Sequence, residues 1–146
     1  MTPALPDILM GQFIALNAPL PPEASGDYLA GRTGMIGMLS VLAAQEAERG
    51  SAARMWENAA LRALFGRAAG AYDEAFGGAL AKAAGGADVD FAWSALDAAN
   101  AALRRLLIAL HQTAATRGDA ALDGEILALY VAMAAHRRLD LPSALG

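Results

Sequence analysis

The fold is decided most clearly by residues 88–118, which read DVDFAWSALDAANAALRRLLIALHQTAATRG. Large side chains recur there at spacings of three and four residues, which is the period of one face of an α-helix. That face comprises Trp93, Leu96, Asn100, Leu103, Leu107, Leu110 and Ala114. Asp88 is suited to accept a hydrogen bond as the N-cap, and Gly118 suits the position after the last turn. The stretch therefore predicts one long amphipathic helix over residues 88–117.

The rest of the chain has the same helical character, because about a quarter of it is alanine and strand-forming residues are scarce. Gly50, Ser51 and Asp119 are the main stop and cap signals. With these signals, helices are predicted over residues 6–16, 22–49, 51–84, 88–117 and 119–138. Short connections between long helices favour antiparallel neighbours. The predicted fold is all-α: an antiparallel up-down four-helix bundle with a short extra N-terminal helix, in a single domain spanning residues 1–146.

Two further stripes predict how the other helices pack. They are Leu61, Phe65, Ala68, Tyr72 and Phe76 on the third predicted helix, and Leu122, Ile126, Leu129, Tyr130 and Met133 on the fifth. We interpret both as packing faces. Asn100 is an amide inside a leucine stripe, so it must find buried hydrogen-bond partners, and we expect it to specify helix register.

Composition excludes several classes of function. The chain has 146 residues, a net charge of −4 and no cysteine, so disulfides, cysteine nucleophiles and thiolate metal sites are excluded. Its few cations are dispersed, which argues against a nucleic-acid partner. The longest stretch without charge is too short to span a membrane, and the start has no basic region of a secretory signal. We therefore expect a cytoplasmic protein, and the alanine, glycine and arginine excess is typical of a GC-rich bacterial genome.

Catalytic and metal-binding patterns are not found, so the sequence does not favour an enzyme and predicts no cofactor. Neither His111 nor His136 follows a carboxylate at the spacing that helical metal sites use. An enzyme is kept as a third hypothesis. Its residues are Arg32, Asp97, Arg104 and His111, the last three repeating every seven residues on one helical face. The alternative interpretation of Asp97, Arg104 and His111 is an ordinary solvent-exposed helix face.

Gly31, Gly34 and Gly37 repeat every three residues inside a predicted helix, where each glycine costs about 1 kcal/mol relative to alanine. One interpretation is a close helix crossing. The other is a groove for an apolar ligand with an anionic head group held by Arg32. The residues of this ligand hypothesis are Tyr28, Arg32, Gly34, Met35, Gly37 and Met38. For Arg32, an ion pair with Asp73 or Glu74 is the structural alternative.

The order of Gly31-Arg32, residues 46–48 and residues 61–66 is similar to that of small helical bacterial proteins encoded near enzymes of acyl-CoA metabolism. This likeness identifies no family and implies only an acyl-type ligand or an enzyme as partner.

The leading functional hypothesis is self-association or contact with another protein. Only 18% of the residues are charged, against roughly 25% in a typical soluble domain, so apolar surface is left for a partner. Trp56 is a candidate interface anchor or, equally, an end of the core. We predict a homodimer, with a binding bundle for small ligands as the alternative.

Overall fold

The computed structural model describes residues 5–19 and 27–141, with side chains described from residue 31 onward in the second range. Within these ranges the chain is all-helical and has no strand. Its elements are α1 (Leu5–Leu16), α2 (Asp27–Ala68), a 3₁₀ turn (Ala69–Ala71), α3 (Glu74–Ala84), α4 (Trp93–Arg117) and α5 (Ala120–His136). The prediction of an all-α protein is confirmed for these residues. None of these helices is both long and apolar enough to cross a membrane.

The residues fall into two compact units. The N-terminal unit comprises Met1–Gly50 together with Arg138–Gly146, and the central unit comprises Ser51–Arg137. The residues of α2 are therefore divided between both units. Each unit is described by itself below.

The central unit contains the main core, formed by α2, α3, α4 and α5. Its largest fully buried apolar side chains are Leu61, Leu64, Phe65, Leu80, Leu96, Leu107, Leu110 and Ile126. The predicted stripes of α4 and α5 thus face the core, as do Leu61, Phe65 and Ala68 of α2. Trp93 is the exception, because it is 39% exposed at the first turn of α4.

The N-terminal unit has a small core. The apolar side chains that it buries, among the described residues, are Phe13 of α1 and Val41 and Ala44 of α2, each less than a tenth exposed. The end of α1 agrees with prediction, since Asn17 follows it and donates from Nδ2 to the carbonyl oxygen of Phe13 at 2.9 Å. Near the other end of the unit, the Gln45 side chain forms two hydrogen bonds to the backbone of Asp140, at 2.7 and 2.8 Å.

The predicted break at Gly50 is wrong, because α2 continues through Gly50 and Ser51 without interruption. A glycine ends a helix effectively when its backbone adopts a positive φ. Among the described residues only Gly118 does so, with a φ of 68°. Gly50 keeps helical geometry and is buried, so its propensity cost of about 1 kcal/mol is outweighed by packing and by the helix on both sides. The predicted start at residue 22 lies outside the described residues.

The predicted third helix, over residues 51–84, is interrupted where no break was predicted. Helix α2 ends at Ala68, and Asp73 begins α3 by accepting a hydrogen bond from the Phe76 amide at 2.8 Å. Gly77 permits a close approach here, because a Cβ atom at this position would lie 2.6 Å from the carbonyl oxygen of Ala69. The capping aspartate and this glycine together let α3 turn back against the 3₁₀ turn.

The turn between α4 and α5 agrees with prediction, whereas the start of α4 does not. Gly118 ends α4 in the left-handed conformation, and Asp119 caps α5 by accepting from the Leu122 amide at 3.1 Å. Asp88, however, is not the cap of α4, which begins at Trp93. Its carboxylate bonds to α2 instead, so a tertiary contact replaces the local one.

Candidate functional sites

The most polar part of the core is a cluster of Glu57, Asn58, Asn100 and Arg137, which we name the buried polar cluster. Glu57 and Asn58 are 0% exposed, and Asn100 is 3% exposed. Arg137 donates to both carboxylate oxygens of Glu57, from Nε at 2.5 Å and from Nη2 at 2.7 Å. Asn100 donates to Glu57 Oε2 at 2.9 Å and to Asn58 Oδ1 at 3.0 Å, and it accepts from Arg137 Nη2 at 2.9 Å. The expected hydrogen-bond partners of Asn100 are therefore present.

Two further ion pairs lie in the central unit, and one of them is bonded to the cluster through Asn58. Asn58 donates to both oxygens of Asp88 at 3.1 Å, and Arg62 donates to Asp88 Oδ1 at 2.6 Å. The hydrogen bond from Arg62 lowers the pKa of Asp88, and Asn58 acts in the same direction, while burial opposes both. Arg54 pairs with Asp97 at 2.8 Å, and this hydrogen bond lowers the pKa of the Asp97 carboxyl.

This arrangement holds helices together and offers little to a substrate. The three carboxylates of the two ion pairs and the cluster face three arginines, so the charges balance. Both amide groups are bonded on the oxygen and the nitrogen. A catalytic carboxylate must contact its substrate, whereas Glu57 is completely covered. Because polar groups in a core stabilise only the arrangement that satisfies them, the cluster ties α2, α4 and the end of α5 in one register.

The buried positions of Glu57, Asn58 and Arg137 were not predicted, although part of the signal was present in the sequence. Glu57 and Asn58 lie four and three residues before Leu61, so they continue the apolar stripe of α2 in the N-terminal direction. Two polar residues at core spacing are as informative as the single Asn100. Arg137 carries no such signal, because it follows the last residue of α5.

The residues of the predicted ligand strip lie in α2 of the N-terminal unit. Arg32 and Met35 are exposed, and Met38 is half-buried. The side chain of Tyr28 lies outside the described residues. Gly37 is buried against the end of α1, where an added Cβ would lie 2.5 Å from Asn17 Nδ2. Close helix packing therefore accounts for Gly37.

The other two glycines of the series have no such neighbour. At Gly31 and Gly34, an added Cβ atom would meet nothing within 4 Å. Packing by the described residues therefore does not account for these two positions, and the predicted groove is untested there.

The polar residues predicted on one face of α4 are not brought to one place. Asp97 pairs with Arg54, Arg104 is exposed, and His111 lies 2.9 Å from Asp123 Oδ1 of α5. Trp56 is half-buried and stacks on His136, with ring centroids 3.7 Å apart. Among the described residues, no group of three or more histidines and carboxylates could hold a metal ion.

The described part of the N-terminal unit exposes more large apolar side chains than it buries. Its described members with more than a third of their surface exposed are Leu5, Ile8, Met10, Ile14, Met35, Ile36, Leu39 and Leu141. On α2, Met35 and Leu39 are four residues apart and lie on the side opposite the buried Gly37, Val41 and Ala44. This part of α2 is thus apolar on both sides, a pattern typical of a helix covered by other chains or elements. We name Met35, Ile36 and Leu39 the exposed α2 face.

The central unit has an open groove of about 420 Å³ between α2, α3 and α4. It is lined mainly by small apolar side chains, with two cations, Arg62 and Lys82, among its lining residues. The groove was not predicted, since no sequence spacing indicated that α2, α3 and α4 leave a gap.

Comparison of the chain with models of protein families, with curated proteins and with solved structures finds no match.

Proposed function

We propose that this chain is a non-enzymatic protein that acts through self-association, as a two-fold homodimer formed by the N-terminal unit. The observation that supports this most is the exposed α2 face on a unit whose own core is small. Met35, Ile36 and Leu39 are 68%, 41% and 59% exposed, while the buried apolar side chains among the described residues of the unit are Phe13, Val41 and Ala44. Large exposed apolar patches on soluble proteins mark interaction surfaces.

A second copy of the chain is the partner that fits this surface. Residues 33–45 carry no charge, so two identical faces can meet without repulsion between like charges. A two-fold axis would pair each face with its own counterpart and leave no open end. Each copy contributes α1 and the first part of α2, so two copies together would supply four helices. The predicted helices over residues 22–49 and 51–84 cannot be antiparallel neighbours as separate helices, because α2 joins residues 27–68 in one helix. An up-down bundle topology and a single domain stay predictions.

Sedimentation equilibrium at micromolar concentration tests the proposal. We expect about twice the chain mass of 15.0 kDa. A monomer that stays monomeric through this concentration range would overturn the proposed function. We also propose that the protein is bacterial and cytoplasmic. Ten arginines against one lysine support a bacterial origin, and the absence of cysteine is compatible with a reducing cytoplasm.

A ligand-binding bundle is the second candidate, and one observation favours it. No described residue lies within 4 Å of a Cβ atom added at Gly31 or Gly34, and the exposed Arg32 lies between these two glycines in sequence. Native mass spectrometry of the protein purified from its host tests for a bound acyl-type ligand. The Gly34→Leu variant should lose such an adduct and keep its helix content, whereas an unchanged adduct would exclude the strip as the binding groove.

A further inference from the structure

The groove between α2, α3 and α4 combines an apolar wall with positive charge. Its apolar part includes Ala79 and Ala83 of α3 and Ala102 and Leu106 of α4. Arg62 of α2 and Lys82 of α3 are the charged lining residues. Its volume of about 420 Å³ lies within the usual range of sites for small molecules.

The positive charge of this groove is only partly compensated. Arg62 shares its charge with Asp88 through a single 2.6 Å contact from Nη2. Lys82 is exposed and has no ion-pair partner in the described part of the chain. One carboxylate thus faces two cations, which leaves a net positive charge beside an apolar wall.

Arg62 carries a second sign of incompleteness. Its Nε is buried and has no hydrogen-bond acceptor among the described residues. Such an orphan donor in a folded protein calls for a specific explanation, such as a bound anion or water. Gly86, also in the groove lining, is the residue whose missing Cβ leaves space 3.7 Å from this Nε.

We propose that this groove binds a small organic anion with an aliphatic body, such as a monocarboxylate with a short hydrocarbon chain. The carboxylate would lie between the charges of Arg62 and Lys82, because charge-assisted hydrogen bonds are the strong ones. The hydrocarbon would cover the alanine and leucine wall, where its burial is favourable. An aromatic body has less to gain, since none of the groove's lining residues is aromatic. This binding is independent of dimer formation.

The single lysine of the sequence provides a direct reporter, because Lys82 lines the groove. Reductive methylation with ¹³C-formaldehyde labels Lys82 and the N-terminal amine, and it keeps the lysine charge. We expect submicellar octanoate to shift the Lys82 methyl resonance in a saturable way and to leave the N-terminal resonance unchanged. Octanol, which has the same hydrocarbon chain without the charge, should bind at least about fivefold more weakly than octanoate. Raising the salt concentration should weaken the binding of octanoate and leave that of octanol unchanged.

Two alanines of α4 give a matched pair of variants. Ala102 lines the groove, whereas its exposed neighbour Ala101 is not among the groove's lining residues. Ala102→Leu should fill the groove and weaken octanoate binding about tenfold or more, while Ala101→Leu should change it less than about twofold. Both replacements are of one good helix former by another, so helix content should be retained.

Three results would overturn the proposal. The first is a Lys82 methyl resonance that octanoate does not shift at any submicellar concentration. The second is equal affinity for octanoate and octanol. The third is an equal change in octanoate affinity in Ala102→Leu and Ala101→Leu. A change in oligomeric mass caused by Ala102→Leu, together with no octanoate response in the parent protein, would identify the groove as a protein interface instead.

Discussion

The exposed α2 face supports a quantitative prediction about dimer formation. Met35 and Leu39 are 68% and 59% exposed, and complete burial of such side chains contributes about 1.5–3 kcal/mol each. Burying the exposed part of each therefore contributes about 1–2 kcal/mol. In a two-fold dimer each position counts twice. The double variant Met35→Glu, Leu39→Glu should thus weaken dimerisation by about 4–8 kcal/mol, or about three orders of magnitude in Kd at the least.

Sedimentation equilibrium of the double variant measures this change, and circular dichroism shows whether the helices are retained. We expect a folded monomer, because both side chains are exposed and contribute little to the core of one copy. Val131→Glu is the control, since Val131 is 72% exposed but lies on α5 of the central unit. A folded double variant that keeps the dimer mass would refute the reasoning. A dimer lost only in Val131→Glu would place the interface on the central unit.

Three further predictions concern stability. Gly78→Ala should stabilise the protein by about 0.5–1 kcal/mol, since the added Cβ would have no described atom within 4 Å. Gly77→Ala should destabilise it by about 1–3 kcal/mol, because the added Cβ would clash with the carbonyl oxygen of Ala69. Urea unfolding measures both free energies, and a Gly77→Ala variant more stable than Gly78→Ala would contradict the prediction. Glu57→Gln should cost about 3–5 kcal/mol, because it breaks a buried ion pair, and a loss below about 1 kcal/mol in the same assay would mean that the cluster is not coupled to folding. The hydrogen bond from Arg62 lowers the pKa of Asp88, so its stabilisation is complete at neutral pH and is lost as the pH falls from about 4 through the lower folded-state pKa. Asp88→Asn should flatten this acid-side decline, which unfolding curves at neutral and acidic pH would detect.

Much of the fold follows from local patterns. The stripe from Leu96 to Ala114 predicted the buried face of α4, and Gly118 and Asp119 marked the turn that follows it. These signals succeed because an amphipathic period extends over many residues and because a capping bond forms between residues close in sequence.

The candidate sites were far less predictable. Glu57 and Arg137 are 80 residues apart, and nothing in either local sequence indicates the other. The groove depends on how α3 turns back at Asp73, which the sequence reading placed inside one continuous helix. Lys82 therefore acquires a setting that its position in the chain does not reveal.

The sequence by itself determined that this protein is all-α, where its later helices end and which faces of them are buried. Only the tertiary structure decided that α2 continues through Gly50, that Asp88 bonds to Arg62 rather than capping α4, and that Glu57, Asn58 and Arg137 are the partners of Asn100. The physical reason is one of scale and distance. Helix propensities and caps contribute about 1 kcal/mol each within a few residues, whereas burial and buried ion pairs contribute more and join residues far apart in the chain.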